Sequence, residues 1–169
     1  SEPKFVYHLD ANFRQDLSDL YEIEIDNYST VLDLMSSWDS YLPKGKKYKK
    51  VIGHGLNKQE LEKNKIFDSY WIQNFNLNQE IPLDNESVDY CLMVAAWQYL
   101  QYPENLTREI ARILKNQGKF IVAFSNRAFW HKAPNIWTTS TEEERVKYVR
   151  KVLITNGFNE PRIIKKFNQ

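Results

Sequence analysis

The stretch VDYCLMVAAWQYLQYPENLTREIARILKNQGKFIVAF, residues 88–124, decides the fold. Its first part, Val88 to Val94, is an almost continuous apolar run, which predicts a strand buried on both faces. Pro103 suits the first turn of a helix, and Gly118 suits the position after its end. Between them, apolar residues recur at the spacing of one buried helix face: Leu106, Ile110, Ile113 and Leu114. Residues 119–124 are again apolar, so the stretch reads strand, helix, strand.

The same alternation extends in both directions along the chain. Further strands are predicted at residues 30–34, 50–53, 69–72 and 162–167. Helices are predicted around residues 13–21, with Asp10 or Asn12 as the cap, from Asn57 onward, and from Thr141 to Gly157. Alternating strands and helices favour right-handed crossovers and a mostly parallel sheet covered on both faces. We therefore expect one doubly wound α/β domain over residues 1–169.

Composition excludes several classes of protein. Hydrophobic residues make up 42% of the 169 residues, and 23 basic against 22 acidic residues give a net charge of +1. A strongly basic nucleic-acid-binding module is therefore not expected. The single cysteine, Cys91, cannot form an intramolecular disulfide, and no apolar run reaches the roughly 20 residues of a membrane span. These features, with no signal-peptide layout in residues 1–4, favour a cytoplasmic protein.

Ligands of doubly wound sheets bind outside the carboxyl ends of the strands. The loops that follow the predicted strands should therefore share one rim. These loops are residues 33–38, 53–57, 73–76, 95–99 and 124–127. We expect the functional residues in these five loops.

Several segments, in this order, resemble one known family. The family is the class I S-adenosylmethionine-dependent methyltransferases. Its first strand is resembled by residues 31–34, and its second strand and following helix by residues 51–64. Its acidic turn before strand four is resembled by residues 82–89, and its helix, glycine turn and strand-five entry by residues 105–120. The likeness is to the small-molecule enzymes similar to those of ubiquinone and menaquinone biosynthesis. It implies a Rossmann-like fold, S-adenosylmethionine as the cofactor and methyl transfer to a small molecule. In that family a final antiparallel strand follows, and this sequence ends near its expected start.

A second likeness is narrower. The motif LDLMSSW at residues 32–38 and the motif FSNR at residues 124–127 resemble a little-characterised methyltransferase-like branch known mainly from photosynthetic organisms. The altered loop after the first strand is the rule in that branch. Its substrate is not implied by the likeness, because fold alone does not establish function.

The resemblance implies which residues contact the cofactor. They lie at the ends of the first four predicted strands: Asp33, Met35, Ser36, Ser37, Gly55, Asn57, Asn74, Phe75, Ala95 and Trp97. Asp33 would lie near the ammonium group of the cofactor, although it also suits a cap of the following turn. Ser36 and Ser37 would donate to the cofactor carboxylate, and a serine pair is equally typical of a turn. Trp97 is either a stacking wall or a core residue.

The chain departs from the family pattern at this rim. Larger residues replace the glycines that let the backbone approach the methionine part of the cofactor: Met35, Ser37 and Asp39. Gly55 replaces the acidic residue that accepts hydrogen bonds from the ribose hydroxyls of the cofactor. Asn57 is a candidate neutral partner for these hydroxyls. Asn74 replaces an aspartate that contacts the adenine amino group.

Three residues after the fifth predicted strand are candidates for the acceptor side: Asn126, Arg127 and His131. The planar guanidinium of Arg127 suits a carboxylate or phosphate, so the substrate would be anionic if Arg127 faces the pocket. His131 is a candidate general base, and both side chains also suit a plain surface. The histidines have no metal-ligand spacing, so no metal site is predicted. The lysines of residues 44–50 are typical of a solvated loop rather than of a phosphate site.

A different class of function stays open. The chain could be a non-catalytic domain that keeps the fold and binds a nucleoside or another protein. The two hypotheses differ in whether residues 35–39, which include Trp38, leave room for the methionine part of the cofactor.

Overall fold

The computed structural model describes residues 11–124 and 142–164. Its sheet has five strands in the order β3-β2-β1-β4-β5, and all neighbouring strands are parallel. The strands are β1 (Thr30–Leu34), β2 (Lys50–Gly55), β3 (Ser69–Ile72), β4 (Val88–Val94) and β5 (Leu114–Ala123). The predicted α/β, doubly wound class is therefore confirmed.

Four helices and one short 3-10 helix complete the described part of the chain. They are α1 (Ala11–Glu24), α2 (Lys58–Lys63), the 3-10 helix (Trp97–Tyr99), α3 (Pro103–Ile113) and α4 (Glu142–Thr155). The Asn57 side chain accepts the Glu60 N–H at 3.2 Å and caps α2, as the capping pattern predicts. Gly157 follows the end of α4 with a φ of 106°, which a residue with a side chain adopts only with strain. No helix among the described residues is long and apolar enough to cross a membrane.

The sheet buries both of its faces. Along β1, Val31 belongs to one apolar cluster with residues of α1, whereas Leu32 and Leu34 belong to a second cluster with residues of α3 and α4. This alternation follows from the period of two in a strand. Because Asp33 lies two residues after Val31, it points to the α1 face.

The connection from β1 to β2 contains no helix. Residues 35–49 cross over as an irregular segment that packs Leu42 into the α1 cluster. Lys46 ties the segment to the end of α1, because its Nζ donates to the Glu22 carbonyl at 2.8 Å and to the Ile25 carbonyl. The remaining lysines of this segment and of the start of β2 are exposed: Lys44, Lys47, Lys49 and Lys50.

Two details of the predicted elements are wrong. Leu114 begins β5 rather than continuing the helix, and Gly118 lies inside β5 rather than after a helix end. The pairing of β4 with β5 is irregular here, since Val88 pairs with Leu114 and Tyr90 pairs with Lys119. At Gly118 a Cβ atom would lie 2.8 Å from a backbone carbonyl oxygen, so close packing explains the glycine.

The other two differences concern the ends of the described part. Asn12 lies within α1 rather than at its cap, and Asp10 lies outside the described residues. Residues 162–164 form no strand, and residues 165–167 of that predicted strand are not described.

Candidate functional site

The carboxyl ends of four strands meet at one edge of the sheet. Because β1 lies between β2 and β4, the chain leaves β1 toward one side and enters β4 on the other, which makes this edge the switch point. The edge carries four of the five predicted rim loops, residues 33–38, 53–57, 73–76 and 95–99. Of the fifth loop only Phe124 is described, and Asn126, Arg127 and His131 lie outside the described residues.

Asp33 is the charged centre of this edge, and it is buried. Its side chain is 3% exposed, and the Ser36 hydroxyl donates to its Oδ2 at 2.8 Å. The Ser40 hydroxyl also donates to it. Burial raises the pKa of Asp33 to about 7, although these two hydrogen bonds act in the opposite direction. The carboxyl group is therefore engaged with its own loop.

Asn64 extends this polar network from α2. Its Nδ2 donates to the Ser40 hydroxyl at 2.9 Å and to the Ser37 carbonyl at 3.1 Å. The loop after β1 is thus held on both sides, by Asp33 below and by the end of α2 beside it. Such a satisfied buried network holds the groups that it joins in one arrangement.

His54, at the end of β2, holds the backbone of the same loop. The Met35 N–H donates to His54 Nδ1 at 2.9 Å, and the Ser36 N–H donates to the His54 carbonyl at 2.7 Å. Nε2 lies 2.8 Å from the Gln73 carbonyl, so it carries the proton of a neutral ring. Burial lowers the pKa of His54 to about 4. Met35 itself has a φ of 53°, in the left-handed region that favours glycine.

The sequence shows no metal-ligand spacing at His54, and this contact with the loop was not predicted. The available signal was a polar residue inside an otherwise buried strand, next to a loop that lacks glycine. Among the described residues, no group of three or more His, Cys, Asp or Glu residues is placed to hold a metal ion.

Gly55 lies directly beneath the loop. A Cβ atom at this position would lie 2.7 Å from the Ser36 carbonyl oxygen, closer than real Cβ contacts. The space that an acidic side chain of β2 would need is therefore filled by the backbone of the β1 loop. Asn57 uses its Oδ1 to cap α2, so this acceptor is engaged within its own helix.

The loop after β3 is more exposed to solvent than the loop after β1. Asn74 is exposed, and its Oδ1 accepts the Asn76 N–H at 2.9 Å. Phe75 is 4% exposed, with its ring centroid 4.1 Å from that of His54. Leu56 and Leu77, in the loops after β2 and β3, are 59% and 84% exposed.

The loop after β4 is built around a second left-handed residue. Ala95 has a φ of 51°, and its N–H donates to the Ala123 carbonyl at 2.7 Å. Trp97 is 1% exposed, with its ring centroid 6.4 Å from that of Phe120, which agrees with the core interpretation. Its Nε1 is buried and has no hydrogen-bond partner among the described residues.

The edge does not fit the whole of S-adenosylmethionine in this conformation. The amino-acid end of that cofactor needs free backbone donors and a free carboxylate, whereas the N–H groups of Met35 and Ser36 and the carboxyl of Asp33 already have partners within the protein. At Gly55 no carboxylate is present for the ribose hydroxyls. Asn74, which the resemblance assigns to the nucleoside, is open to solvent.

Comparison with known proteins points to one family. Residues 40–122 match a family model described as a methyltransferase domain. No curated protein sequence matches the chain. The family match confirms the predicted family, and it implies S-adenosylmethionine as the cofactor.

Solved structures agree with this fold. A methyltransferase from Haloferax volcanii, solved in complex with a methyltransferase activator, has a TM-score of 0.60 and 21% identity, covering 83% of this chain and 68% of that one. A SAM-dependent methyltransferase from Aquifex aeolicus has a TM-score of 0.58 and 18% identity, covering 85% and 87%. The cyclase SpnF has a TM-score of 0.57 and 13% identity, covering 81% and 56%.

The length of the match differs between these relatives. The chain spans most of the Aquifex protein but only about half of several other matched proteins. The five-stranded parallel sheet and the match over residues 40–122 together support a class I methyltransferase.

Proposed function

We propose that this chain is an S-adenosylmethionine-dependent methyltransferase that acts on a small-molecule acceptor. The observation that carries the proposal is the carboxyl edge of the sheet. There the loops of four strands converge at the switch point, within a chain that matches a methyltransferase domain. The solvent-open loop after β3 is the side on which the nucleoside would bind. The single free cysteine and the near-neutral charge support a cytoplasmic location.

The acceptor side of the proposal depends on residues that follow β5. Asn126 and Arg127 follow Phe124 by two and three positions in the sequence, and His131 comes four positions later. A guanidinium would bind an anionic acceptor, and an imidazole would remove a proton from its nucleophilic atom. We expect Arg127→Met to raise the KM for the acceptor more than it lowers kcat, measured once an acceptor is known.

The first test is a titration of thermal stability with S-adenosylhomocysteine, the product form of the cofactor. A ligand at 100 times its Kd stabilises a protein by about 2.7 kcal/mol. We expect a saturable rise in Tm with S-adenosylhomocysteine and none with guanosine. The absence of any shift at millimolar S-adenosylhomocysteine would refute the proposal.

A matched pair of asparagines tests where the nucleoside binds. Asn74 and Asn78 are both exposed, and each accepts the N–H of the residue two positions later, at 2.9 and 3.0 Å. The two substitutions Asn74→Ala and Asn78→Ala therefore remove similar local contacts. We expect Asn74→Ala alone to weaken the binding of S-adenosylhomocysteine, roughly fivefold to tenfold for one lost hydrogen bond. An equal effect of both substitutions would contradict a binding site at the end of β3.

One observation favours a second candidate function. The closed loop over Gly55 offers no free group to the amino-acid end of the cofactor, which suits a nucleoside-binding domain without methyl transfer. In addition, the matched fold occurs in a protein named as a cyclase, so the fold alone does not specify the reaction. Under this alternative, adenosine and S-adenosylhomocysteine would stabilise the chain equally, and no labelled methyl group would reach any acceptor.

A further inference from the structure

In the turn after β1, Met35 stands where the family has glycine, and a residue of β2 contacts it. Met35 adopts a φ of 53°, a left-handed conformation that is unfavourable for a residue with a side chain. Its N–H donates to His54 Nδ1 at 2.9 Å, and the next N–H donates to the His54 carbonyl at 2.7 Å. These two hydrogen bonds to one residue offset that cost. The conformation of the turn is therefore held by a side chain of β2.

The geometry of the His54 ring allows one proton arrangement only. Nδ1 must accept from Met35, while Nε2 donates to the Gln73 carbonyl at 2.8 Å. The ring is 1% exposed and lies against Trp71 and Phe75, with centroids 4.9 and 4.1 Å away. The imidazole is thus fixed in orientation from the side of β3 and offers its acceptor to the turn.

In this conformation the turn after β1 covers the carboxyl end of β2. The Ser36 carbonyl oxygen lies against Gly55, where a Cβ atom would be only 2.7 Å away. The Ser36 hydroxyl bonds Asp33 at 2.8 Å, so this residue also turns its side chain inward. The groups that would bind a charged amino-acid tail are therefore used inside the protein.

We propose that His54, Met35, Ser36 and Gly55 form a latch, which must open before the amino-acid tail of the cofactor can bind at this edge. The inference rests on the proposed function. His54 is a positioning residue, since it acts through the Met35 N–H rather than on the ligand. A protein that must open before binding has an apparent affinity reduced by the fraction that is open. Weakening the latch should therefore increase the affinity for a ligand with the tail.

Two substitutions of His54 test the roles of its two ring nitrogens separately. Asparagine can place an acceptor near the position of Nδ1 but does not reach Gln73, whereas glutamine can reach the position of Nε2 and loses the acceptor for Met35. His54→Gln should open the latch, and His54→Asn is the conservative control that keeps it. The ligands are S-adenosylhomocysteine and 5′-methylthioadenosine, which share the thioether nucleoside and differ by the tail.

We expect His54→Gln to bind S-adenosylhomocysteine about tenfold more tightly than the wild-type chain, with little change for 5′-methylthioadenosine. His54→Asn should keep the wild-type ratio of the two affinities. An unchanged ratio in His54→Gln, or a weaker S-adenosylhomocysteine complex, would overturn the latch. Failure of both ligands to bind every variant would instead refute the proposed function, and the latch with it.

Hydrogen exchange of the wild-type chain gives a readout that does not depend on any variant. The Met35 and Ser36 amides should exchange slowly in the free protein because both are hydrogen-bonded to His54. Their protection should nevertheless be well below that of the Leu32 amide in β1, because the latch opens while the sheet stays folded. Equal protection of the three amides would show that the turn opens only when the whole chain unfolds and would overturn the inference.

Discussion

Asp33 and His54 are buried titratable residues whose effects on stability oppose each other as pH changes. Burial raises the pKa of Asp33 from 3.8 to about 7 and lowers that of His54 from 6.5 to about 4. Between these values folded Asp33 holds a proton that the unfolded chain has released, so its contribution to stability falls as pH rises from about 4 to 7. Folded His54 lacks a proton that the unfolded chain holds, so its contribution rises with pH from about 4 to 6.5.

Removing one of these two titratable side chains should therefore leave the pH dependence of stability that the other one causes. In Asp33→Asn we expect the free energy of unfolding to rise between pH 4 and 6.5, because His54 remains. In His54→Gln it should fall between pH 4 and 7, because Asp33 remains. The slope in each case is at most about 1.4 kcal/mol per pH unit. Urea denaturation at a series of pH values measures it, and slopes of the same sign in both variants would contradict the assignment.

Gly55 gives a second prediction at the scale of one residue. Gly55→Ala places a Cβ atom against the backbone carbonyl of Ser36, so the turn or the strand must shift. We expect a loss of about 1–3 kcal/mol in the free energy of unfolding. Gly45→Ala is the matched control, because nothing lies within 4 Å of its added Cβ. Equal losses in the two variants, measured by urea denaturation, would show that the contact with Ser36 does not limit this position.

At the scale of elements, the crossover from β1 to β2 depends on one lysine. Lys46 reaches the last turn of α1, where its Nζ donates to the carbonyls of Glu22 and Ile25. A cation at this end also interacts favourably with the helix dipole. This irregular segment is therefore attached to the helix that covers the same face of the sheet.

Lys46→Met should remove this attachment while keeping the aliphatic length of the side chain. We expect the free energy of unfolding to fall by about 1–2 kcal/mol, since hydrogen bonds from a charged donor are lost. Lys44→Met, at an exposed position of the same segment, should change it little. Guanidinium denaturation of both variants measures the difference, and a neutral Lys46→Met would mean that the segment packs without this contact.

The elements themselves were largely predictable because their apolar patterns are local. The run Val88–Val94 and the helical spacing after Pro103 each indicate their structure within a short window. The end of α3 was not predictable in the same way. Gly118 suits a helix end by type, yet its role comes from the irregular pairing of β5 with β4, which a window of sequence does not contain.

The candidate site was predictable in location but not in its contacts. The rule for parallel sheets predicts the edge where Asp33, Gly55 and Asn74 lie. The replacement of glycine by Met35 is also visible in the sequence. That His54, 19 residues away, holds Met35 in a left-handed turn is a contact between two strands, and neither residue type indicates it.

At the scale of the whole molecule, the parallel sheet determines where a ligand can bind. All five strands run in one direction, so one edge gathers the polar loops and the opposite edge gathers the strand entrances. We expect the cofactor of this family to bind at the carboxyl edge.

The most direct test is an amide NMR titration of the labelled chain with S-adenosylhomocysteine. We expect saturable shifts at residues 33–36, 54–57 and 73–76, with the strand entrances near Thr30, Lys50 and Val88 unchanged. Shifts concentrated at the strand entrances, or no saturable shift at all, would contradict the claim.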